Sequence, residues 1–341
     1  MLTAFAHREA DRVAAWCGAS AEFWAKAGGE LGLDDEALRV RFGDDFRRVF
    51  ARYAGPAMSL LPGATYATPF GVSRHGLGYG QPMNHPLARR SLAEVHEYAW
   101  PDPNWIDVSG VRVEAAKYGG EYAILGGDWS PFWHDAIDLL GMEDLLVKMY
   151  EEPELVDAVL EHVVDYYAAS SRRILDVAGD VIDILFIGND FGSQIGPLIG
   201  ERLFRRFLLP HLRRLIDLGH GYGLKVMLHC CGGFAELIPA MIEAGLDGLH
   251  AVQPSCRGMD LARLKADYGA RIVFNGAIDS HHVLIKGPPE SVRAATRKVL
   301  DIMKPGGGYV AGASHDSILE ETPVENVVAM FDAVAEYGRY R

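Results

Sequence analysis

His229 and Cys231 are of the residue types that bind transition metals, and they stand two positions apart at the end of the apolar run 224–229. Side chains two positions apart in a β-strand leave the same face, so this imidazole and thiolate can hold one metal ion together. Cys230 would point the other way. A buried core histidine beside a small buried cysteine is the alternative interpretation of so short a motif.

A metal site needs at least one further ligand, and His315 is the candidate that we favour. It follows another apolar run, residues 308–312. Cys256 is the competing candidate, although it lies several residues into a loop that contains proline. A capping or rim histidine is the alternative role for His315. Three protein ligands of mixed nitrogen and sulfur type, with a vacant fourth position, are typical of catalytic zinc and suit iron or magnesium less well.

Two carboxylates, Asp190 and Asp279, follow two other apolar runs. At the ends of parallel strands they would serve as acid–base groups, as partners of the histidines or as acceptors for substrate hydroxyls. Each is also followed by a predicted helix. Helix N-capping is therefore an equally good explanation for both residues.

Four more residues are candidates for contact with substrate: Gln194, Trp129, Arg74 and His281. Gln194 could hydrogen-bond a ligand or cap a helix, and Trp129 could form an apolar wall or pack in the core. Arg74 and His281 would contribute to a positively charged rim that attracts a carboxylate or a phosphate. A solvated rim without function is the alternative.

Short apolar runs alternate with amphipathic segments along most of the chain, which predicts βα units and a parallel sheet. The strand-like runs are residues 121–126, 181–187, 224–229, 248–252, 271–275 and 308–312. The helical segments are residues 153–178, 200–220, 235–244, 289–303 and 323–337, with residues 34–38 opening an earlier helix and a capping box at Thr322–Glu325. Two further units hidden before residue 111 would complete an α/β (βα)8 barrel, whose C-terminal strand ends form the active site.

The length of 341 residues fits one such barrel with an N-terminal extension. We predict a single domain over residues 1–341, in which residues 1–110 form a helical extension and rim and residues 111–341 form most of the barrel. A doubly wound open sheet is the alternative. The sequence has neither a Gly-x-Gly-x-x-Gly after a strand nor a Walker-type loop, so a nucleotide-binding sheet is disfavoured.

Composition excludes several kinds of partner. The net charge of −13, with scattered basic residues, would repel nucleic acid and anionic lipid. The sequence contains neither an apolar run long enough to span a bilayer nor a signal-peptide core, so we expect a cytoplasmic protein. Four cysteines are too few and too uneven for a secreted disulfide framework. Reduced thiols or metal ligands are the better interpretation.

Several motifs together resemble the uroporphyrinogen decarboxylase (URO-D) superfamily. They are residues 188–194 (Gly-Asn-Asp-Phe-Gly-Ser-Gln), residues 225–232 with His229 and Cys231, Pro254 with residues 258–260, residues 276–279, and residues 306–309 leading to 322–326. The resemblance spans nearly the whole chain. It implies a (βα)8 barrel with its site at the C-terminal mouth.

That superfamily holds two chemistries, a haem-pathway decarboxylase and zinc-dependent methyltransferases. The decarboxylase segments Arg-Gln-Ala-Gly-Arg-Tyr and Phe-Ser-Asp-Ile-Leu do not occur here, whereas the His-x-Cys of the methyltransferases does, at His229 and Cys231. The resemblance thus implies transfer of a methyl group between a corrinoid (cobalamin) on a partner protein and a thiol such as coenzyme M. A carboxy-lyase acting on a tetrapyrrole or smaller substrate is the second hypothesis, and a non-catalytic ligand-binding barrel is the third. Family members often form dimers, so a homodimer is expected as well.

The third ligand is where this chain departs from the family. The thiol methyltransferases have a cysteine after the last strand, where this sequence shows Ala313-Ser314-His315. If His315 replaces that cysteine, a zinc ion with one thiolate and two imidazoles has a formal charge of about +1 and is the stronger Lewis acid. It would lower the pKa of a bound thiol further and leave a weaker nucleophile. We therefore expect a substrate other than coenzyme M, either a different thiol or an oxygen-bearing methyl donor.

Overall fold

The eight strands of the main sheet are all parallel and follow one another around a barrel. The structure is a computed structural model that describes residues 1–76 and 80–340. The barrel strands are β1 (Ala14–Ala15), β2 (Phe46–Arg48), β3 (Ala123–Gly126), β4 (Ile184–Gly188), β5 (Lys225–His229), β6 (Gly248–Val252), β7 (Val273–Ile278) and β8 (Tyr309–Ala313). Each strand pairs with the next one in the chain from β2 to β8, and β8 pairs with β1.

The barrel closes between β1 and β2 through Asp45. Its backbone N–H donates to the carbonyl oxygen of Ala15 at 2.9 Å, and its carboxylate accepts from the N–H of Ala15 at 2.8 Å. The predicted (βα)8 barrel is therefore confirmed, including two strands before residue 111. These two strands are only two and three residues long. The segment 1–110 thus contributes barrel strands in addition to helices and rim.

Helices surround the barrel and connect its strands. The α-helices are α1 (Leu2–Phe5), α2 (Ala21–Leu31), α3 (Asp35–Phe42), α4 (Leu92–His96), α5 (Val111–Ala116), α6 (Phe132–Leu140), α7 (Met142–Glu151), α8 (Pro153–Ala178), α9 (Glu201–Leu203), α10 (Leu209–Gly221), α11 (Ile238–Glu243), α12 (Leu261–Tyr268), α13 (Pro289–Met303) and α14 (Val324–Tyr337). Single turns of 3-10 helix lie at Pro103–Trp105 and Ala235–Leu237, and π-helical turns lie at Phe204–Leu208 and Ser280–Ile285.

Most predicted helices are found at their expected places, with three differences. The segment 235–244 is divided into a 3-10 turn, Ala235–Leu237, and α11. The segment 200–220 is divided into α9, a π-helical turn and α10. The turn ends where Pro210 enters α10, and proline has no N–H to continue a regular ladder. The capping box predicted at Thr322 is wrong. Helix α14 begins at Val324 with Pro323 at its N-cap and no side-chain cap, because the proline occupies the position that a capping residue would need.

Two apolar layers hold the barrel together. The larger one lies between the sheet and the surrounding helices. The smaller one fills the barrel interior and contains Phe5, Trp16, Phe46, Phe186, Met227, Val273 and Val310. The interior is therefore a packed core, which leaves only the ends of the barrel open to ligands.

Additional short strands stand at the rim. Tyr66–Ala67, Ser73–His75 and Gln81–Pro82 form an antiparallel sheet. Arg52–Tyr53 pairs with Ile106–Asp107, and Gly192–Ser193 pairs with Gly196–Pro197. The first of these sheets carries Tyr66 and Arg74 to the wall of the mouth cavity described below. No helix in the described part of the chain is long and apolar enough to cross a membrane.

Candidate active site

The C-terminal ends of β4 and β5 bring three potential metal ligands together. His229 is the last residue of β5 and pairs with Gly188 of β4 on one side and with His250 of β6 on the other. Asp190 and Cys231 lie two residues beyond Gly188 and His229, respectively. The parallel register therefore places all three side chains at the same end of the barrel.

These three residues are in mutual contact. Nε2 of His229 lies 3.4 Å from Sγ of Cys231 and 3.3 Å from Oδ1 of Asp190. The backbone N–H of Cys231 donates to Oδ1 of Asp190 at 2.7 Å. One nitrogen, one sulfur and one oxygen donor lie within 4.8 Å of one another. This donor set fits a tetrahedral transition metal with room for one more ligand.

His229 shifts the pKa of both Asp190 and Cys231, and each of these two shifts the pKa of His229. Burial would raise the pKa of Asp190, but hydrogen bonds from His134 and His229 and the charges of both rings hold it well below its usual range. Burial would lower the pKa of His229, yet the neighbouring Cys231 and Asp190 raise it well above its usual range. Burial raises the pKa of the Cys231 thiol, against the opposing charge of His229. Metal binding to such a group displaces protons that it otherwise shares.

Two glycines allow the loops after β4 and β5 to touch. Gly232 has a φ of +90°, and a Cβ there would stand 2.4 Å from the carbonyl carbon of Gly192. No side chain fits at this position. The close approach of the two backbones holds Asp190 and Cys231 side by side.

A second polar group lies beneath the first. Nδ1 of His229 is 3.2 Å from Nδ1 of His250, and the same atom of His250 is 3.8 Å from Oδ1 of Asp316. His250 is fully buried, and burial above all lowers its pKa to about 3, so the ring is neutral. A neutral His250 can accept a hydrogen bond from Nδ1 of His229, which directs Nε2 of His229 towards Asp190 and Cys231.

Sequence reasoning missed His250 and Asp316. His250 lies inside an apolar strand, and the sequence of that strand does not distinguish a functional histidine from one packed in the core. The usable signal was its position two residues into β6, which pairs it with His229 of β5. Asp316 immediately follows His315, so the loop after β8 offered two candidate side chains rather than one.

The metal-ligand candidates form the floor of a cavity of about 840 Å³ at the mouth of the barrel. The structure brings five of the sequence-predicted site residues to its lining: Asp190, His229, Cys231, His315 and Arg74. Trp129 lies beside them, with its ring centroid 5.5 Å from that of His229 and 4.5 Å from the guanidinium of Arg48. Trp129 thus packs against the floor of the cavity.

His315 lines the cavity but is turned towards its own loop. Its Nδ1 lies 2.9 Å from the carbonyl oxygen of Ser317 and 3.2 Å from the N–H of the same residue. Among the described residues, the two groups whose donor atoms lie within 4.8 Å of one another contain Asp190 or Asp316 rather than His315. The structure therefore places Asp190 beside the His229 and Cys231 pair.

Other predicted site residues lie around a neighbouring cavity of about 470 Å³, which is lined by Gln194, Asp279, His281 and Cys256 and shares His315 with the first. The carboxylate of Asp279 accepts hydrogen bonds from the N–H groups of His281 and His282 at 2.9 and 2.8 Å. Asp279 therefore caps the turn at Ser280–Ile285, as its alternative interpretation had it. Sγ of Cys256 lies 3.4 Å from Oε1 of Gln253.

Arg74 and His281, which we expected on one positively charged rim, line two different cavities of the described structure. Arg74 is buried and forms an ion pair with buried Asp138, and His281 lies 3.0 Å from Lys286 at the other cavity. The lining of the mouth cavity is instead acidic. Besides Asp190 it includes Glu22, Asp135, Asp316, Glu320 and Glu321, whereas Arg74 is the only Lys or Arg among its described lining residues.

A closed parallel barrel with polar groups gathered at the C-terminal ends of its strands defines a TIM-barrel protein with an enzyme-like mouth site. A family model described as uroporphyrinogen decarboxylase (URO-D) matches residues 76–337. The chain belongs to this family.

Curated relatives include both activities of the superfamily. The chain is 23% identical over 234 residues to a methylcobamide:CoM methyltransferase of Methanosarcina acetivorans, covering 67% of this chain and 63% of the relative. It is 26% identical over 273 residues to a uroporphyrinogen decarboxylase of Alkalilimnicola ehrlichii, covering 75% and 69%. The match thus spans less than two thirds of the length of the first relative.

The fold is also similar to that of a solved methyltransferase from Methanosarcina mazei. The TM-score is 0.71, and the alignment covers 98% of this chain and 97% of the other at 19% identity. At this identity the similarity establishes the barrel fold.

Proposed function

We propose that the protein is a zinc-dependent methyltransferase that moves a methyl group between the corrinoid of a partner protein and a small acceptor or donor, such as a thiol. The observation that carries this proposal is the contact among His229, Cys231 and Asp190 at the floor of an open cavity. Relatives named as methylcobamide:CoM methyltransferases support it.

His229 and Cys231 are the two ligands on which the proposal depends. Asp190 supplies the third donor in the arrangement seen here, and His315, which lines the same cavity, is the alternative third ligand. When bound, zinc would act as a Lewis acid that lowers the pKa of a substrate thiol or activates a leaving group. Asp279, the other carboxylate that we considered for acid–base chemistry, is occupied as a cap. With His315 as the third ligand, Asp190 would therefore be the group that orients the substrate.

Two neighbouring side chains would hold the metal ligands in position. Nε2 of His134 lies 3.3 Å from Oδ2 of Asp190, and both residues line the cavity. His134 therefore positions the carboxylate of Asp190. Trp129 packs against His229 and fixes the position of the imidazole ring.

The corrinoid partner would dock over the mouth. Leu61 and Met83 are exposed and flank the rim strand Ser73–His75, which carries Arg74 to the cavity, and exposed Leu319 lies on the cavity lining. Apolar side chains grouped in this way are typical of protein-binding surfaces. A corrinoid-binding protein seated there would bring its cofactor over the cavity floor.

Decarboxylation of a tetrapyrrole is the competing function, since relatives named as uroporphyrinogen decarboxylases also match. A substrate with many carboxylates is poorly suited to a cavity that has five acidic side chains besides Asp190 and a single arginine in an ion pair. The charge of the cavity therefore favours the methyltransferase.

The direct test is demethylation of methylcobalamin with a panel of thiols, with zinc quantified in the same preparation. We expect zinc close to one equivalent and transfer to at least one thiol. His229→Ala should remove both. Porphyrinogen decarboxylation by metal-free protein, without transfer to any thiol, would support the competing function.

A further inference from the structure

We infer that the small substrate of the mouth cavity carries a positive charge, as an aminothiol or a methylated amine does. This inference rests on the proposed function and adds the chemical class of the substrate to it. It depends on the charges that surround the cavity and on the aromatic rings in its wall.

The lining has a clear excess of negative charge. Five carboxylates line the cavity besides Asp190, against the guanidinium of Arg74 and the imidazoles of His134, His229 and His315. This guanidinium is already paired with Asp138 behind the wall. A cavity lined predominantly by one sign of charge concentrates ligands of the opposite sign.

Three of these carboxylates stand at the entrance. Glu22, Glu320 and Glu321 are exposed, and none of them has a Lys or Arg within ion-pair distance in the described ranges 1–76 and 80–340. Lys26 contacts the segment that carries Glu320 and Glu321. Its ammonium binds the backbone carbonyl oxygens of Glu320 and Thr322 at 2.9 and 3.0 Å, not a carboxylate.

The other two carboxylates lie deeper. Asp135 is buried and accepts a hydrogen bond from the hydroxyl of Tyr167, which satisfies the carboxylate without neutralising its charge. The negative charge of Asp316 interacts with the positive charge of Arg48, whose guanidinium lies over the ring of Trp129. Even when Arg48 and Lys26 are counted with Arg74, the acidic groups remain in excess.

A bound metal would leave this balance unchanged. Two positive charges of zinc are formally cancelled by the thiolate of Cys231 and the carboxylate of Asp190. Tyr66 and Tyr167 also line the cavity. Aromatic faces attract ammonium and quaternary ammonium groups and offer nothing comparable to an anion. The charge of the lining and its aromatic residues therefore both favour a cationic ligand.

Three thiols of equal length test the inference: cysteamine (cationic), 2-mercaptoethanol (neutral) and 2-mercaptoethanesulfonate (anionic). Their binding to zinc-loaded protein is measured by calorimetry and corrected for the pKa of each free thiol. We expect cysteamine to bind at least about tenfold more tightly than the sulfonate, and added salt should reduce the difference.

A pair of matched variants locates the cause. The triple variant Glu22→Gln/Glu320→Gln/Glu321→Gln should reduce the preference for cysteamine severalfold. The control Glu30→Gln/Glu154→Gln/Glu290→Gln removes the same charge from exposed positions outside the cavity and should leave the preference unchanged.

The outcomes separate this inference from the proposed function. Equal or tighter binding of the sulfonate to zinc-loaded protein would overturn the inference and leave the proposed function standing. Equal loss of preference in both triple variants would likewise overturn it. Failure of the protein to bind zinc at all would overturn the proposed function, and the inference with it.

Discussion

Nε2 of His229 and Sγ of Cys231 lie 3.4 Å apart at the end of one strand, on the floor of the mouth cavity. Alternation along the strand places both on one face and turns the intervening Cys230 into the core, where its Sγ accepts from the N–H of Phe191 at 3.3 Å. Two adjacent cysteines thus have opposite surroundings, which provides a matched experiment.

Cys231→Ala should abolish stoichiometric zinc binding, whereas Cys230→Ala should retain it. Cys231 faces the cavity beside two other donors, but Cys230 has a buried sulfur with a raised pKa, caused mainly by burial. Metal analysis after dialysis against zinc would measure the difference. We expect Cys230→Ala to cost about 1 kcal/mol of unfolding free energy through the small cavity it leaves. Zinc loss in both variants to the same extent would contradict the assignment.

The third ligand can be identified by comparing Asp190→Ala with His315→Ala. Asp190 contacts both members of the pair, whereas His315 interacts with Ser317. We expect Asp190→Ala to weaken zinc binding by at least about 100-fold and His315→Ala to weaken it much less. A competitive chelator titration measures both affinities. The reverse order would show that the loop after β8 rearranges to bring His315 to the metal.

His250 should act as a positioning residue for His229. The 3.2 Å contact between their Nδ1 atoms orients the imidazole so that Nε2 faces the cavity. His250→Phe removes this acceptor while keeping a ring in a site packed against Trp16 and Phe186. We expect zinc affinity to fall by roughly 10- to 100-fold. A folded variant, judged by circular dichroism, with unchanged zinc affinity would refute the role.

Asp135 should make stability depend on pH in a specific direction. Burial raises its pKa to about 6, above the value of about 3.9 for an unfolded aspartate. Between these values the folded state binds the additional proton, so the contribution of Asp135 favours folding as pH falls from 7 to 5. Linkage gives about 1.3 kcal/mol in favour of wild type relative to Asp135→Asn over this interval. Denaturant unfolding of both proteins at the two pH values tests it, and a difference that stays constant would contradict it.

Gly188 should tolerate no side chain. A Cβ there would stand 2.0 Å from the ring of Trp129, which packs against His229. We expect Gly188→Ala to lower the free energy of unfolding by about 1–3 kcal/mol and to weaken zinc binding as Trp129 shifts. Gly200→Ala is the control, because nothing lies within 4 Å of a Cβ at that position. Similar stability of the two variants would show that Trp129 moves aside without cost.

Much of the barrel was predictable because β3 to β8 are buried on both faces and therefore form continuous apolar runs. Strands β1 and β2 could be anticipated only because the six visible strands are two short of an eight-stranded barrel. Segments of two or three residues are too short to show a hydrophobic periodicity. Residues 34–38 were predicted to open a helix, and Asp34 caps α3 by accepting a hydrogen bond from the N–H of Ala37.

The site was less predictable, because its partners are distant in sequence. Spacing was enough to pair His229 with Cys231, but the pairing of Arg74 with Asp138, 64 positions away, depends on tertiary packing. This ion pair, hidden from local sequence patterns, is the reason that Arg74 forms no cationic rim. The position of His315 likewise depends on a loop conformation that strand periodicity does not determine.

Zinc K-edge X-ray absorption of the purified, zinc-loaded protein tests the central claim most directly. The account predicts one sulfur scatterer at about 2.3 Å, contributed by Cys231 and lost in Cys231→Ala, with the remaining ligands nitrogen or oxygen at about 2.0 Å. A spectrum without sulfur, or a sulfur scatterer that persists in Cys231→Ala, would contradict it.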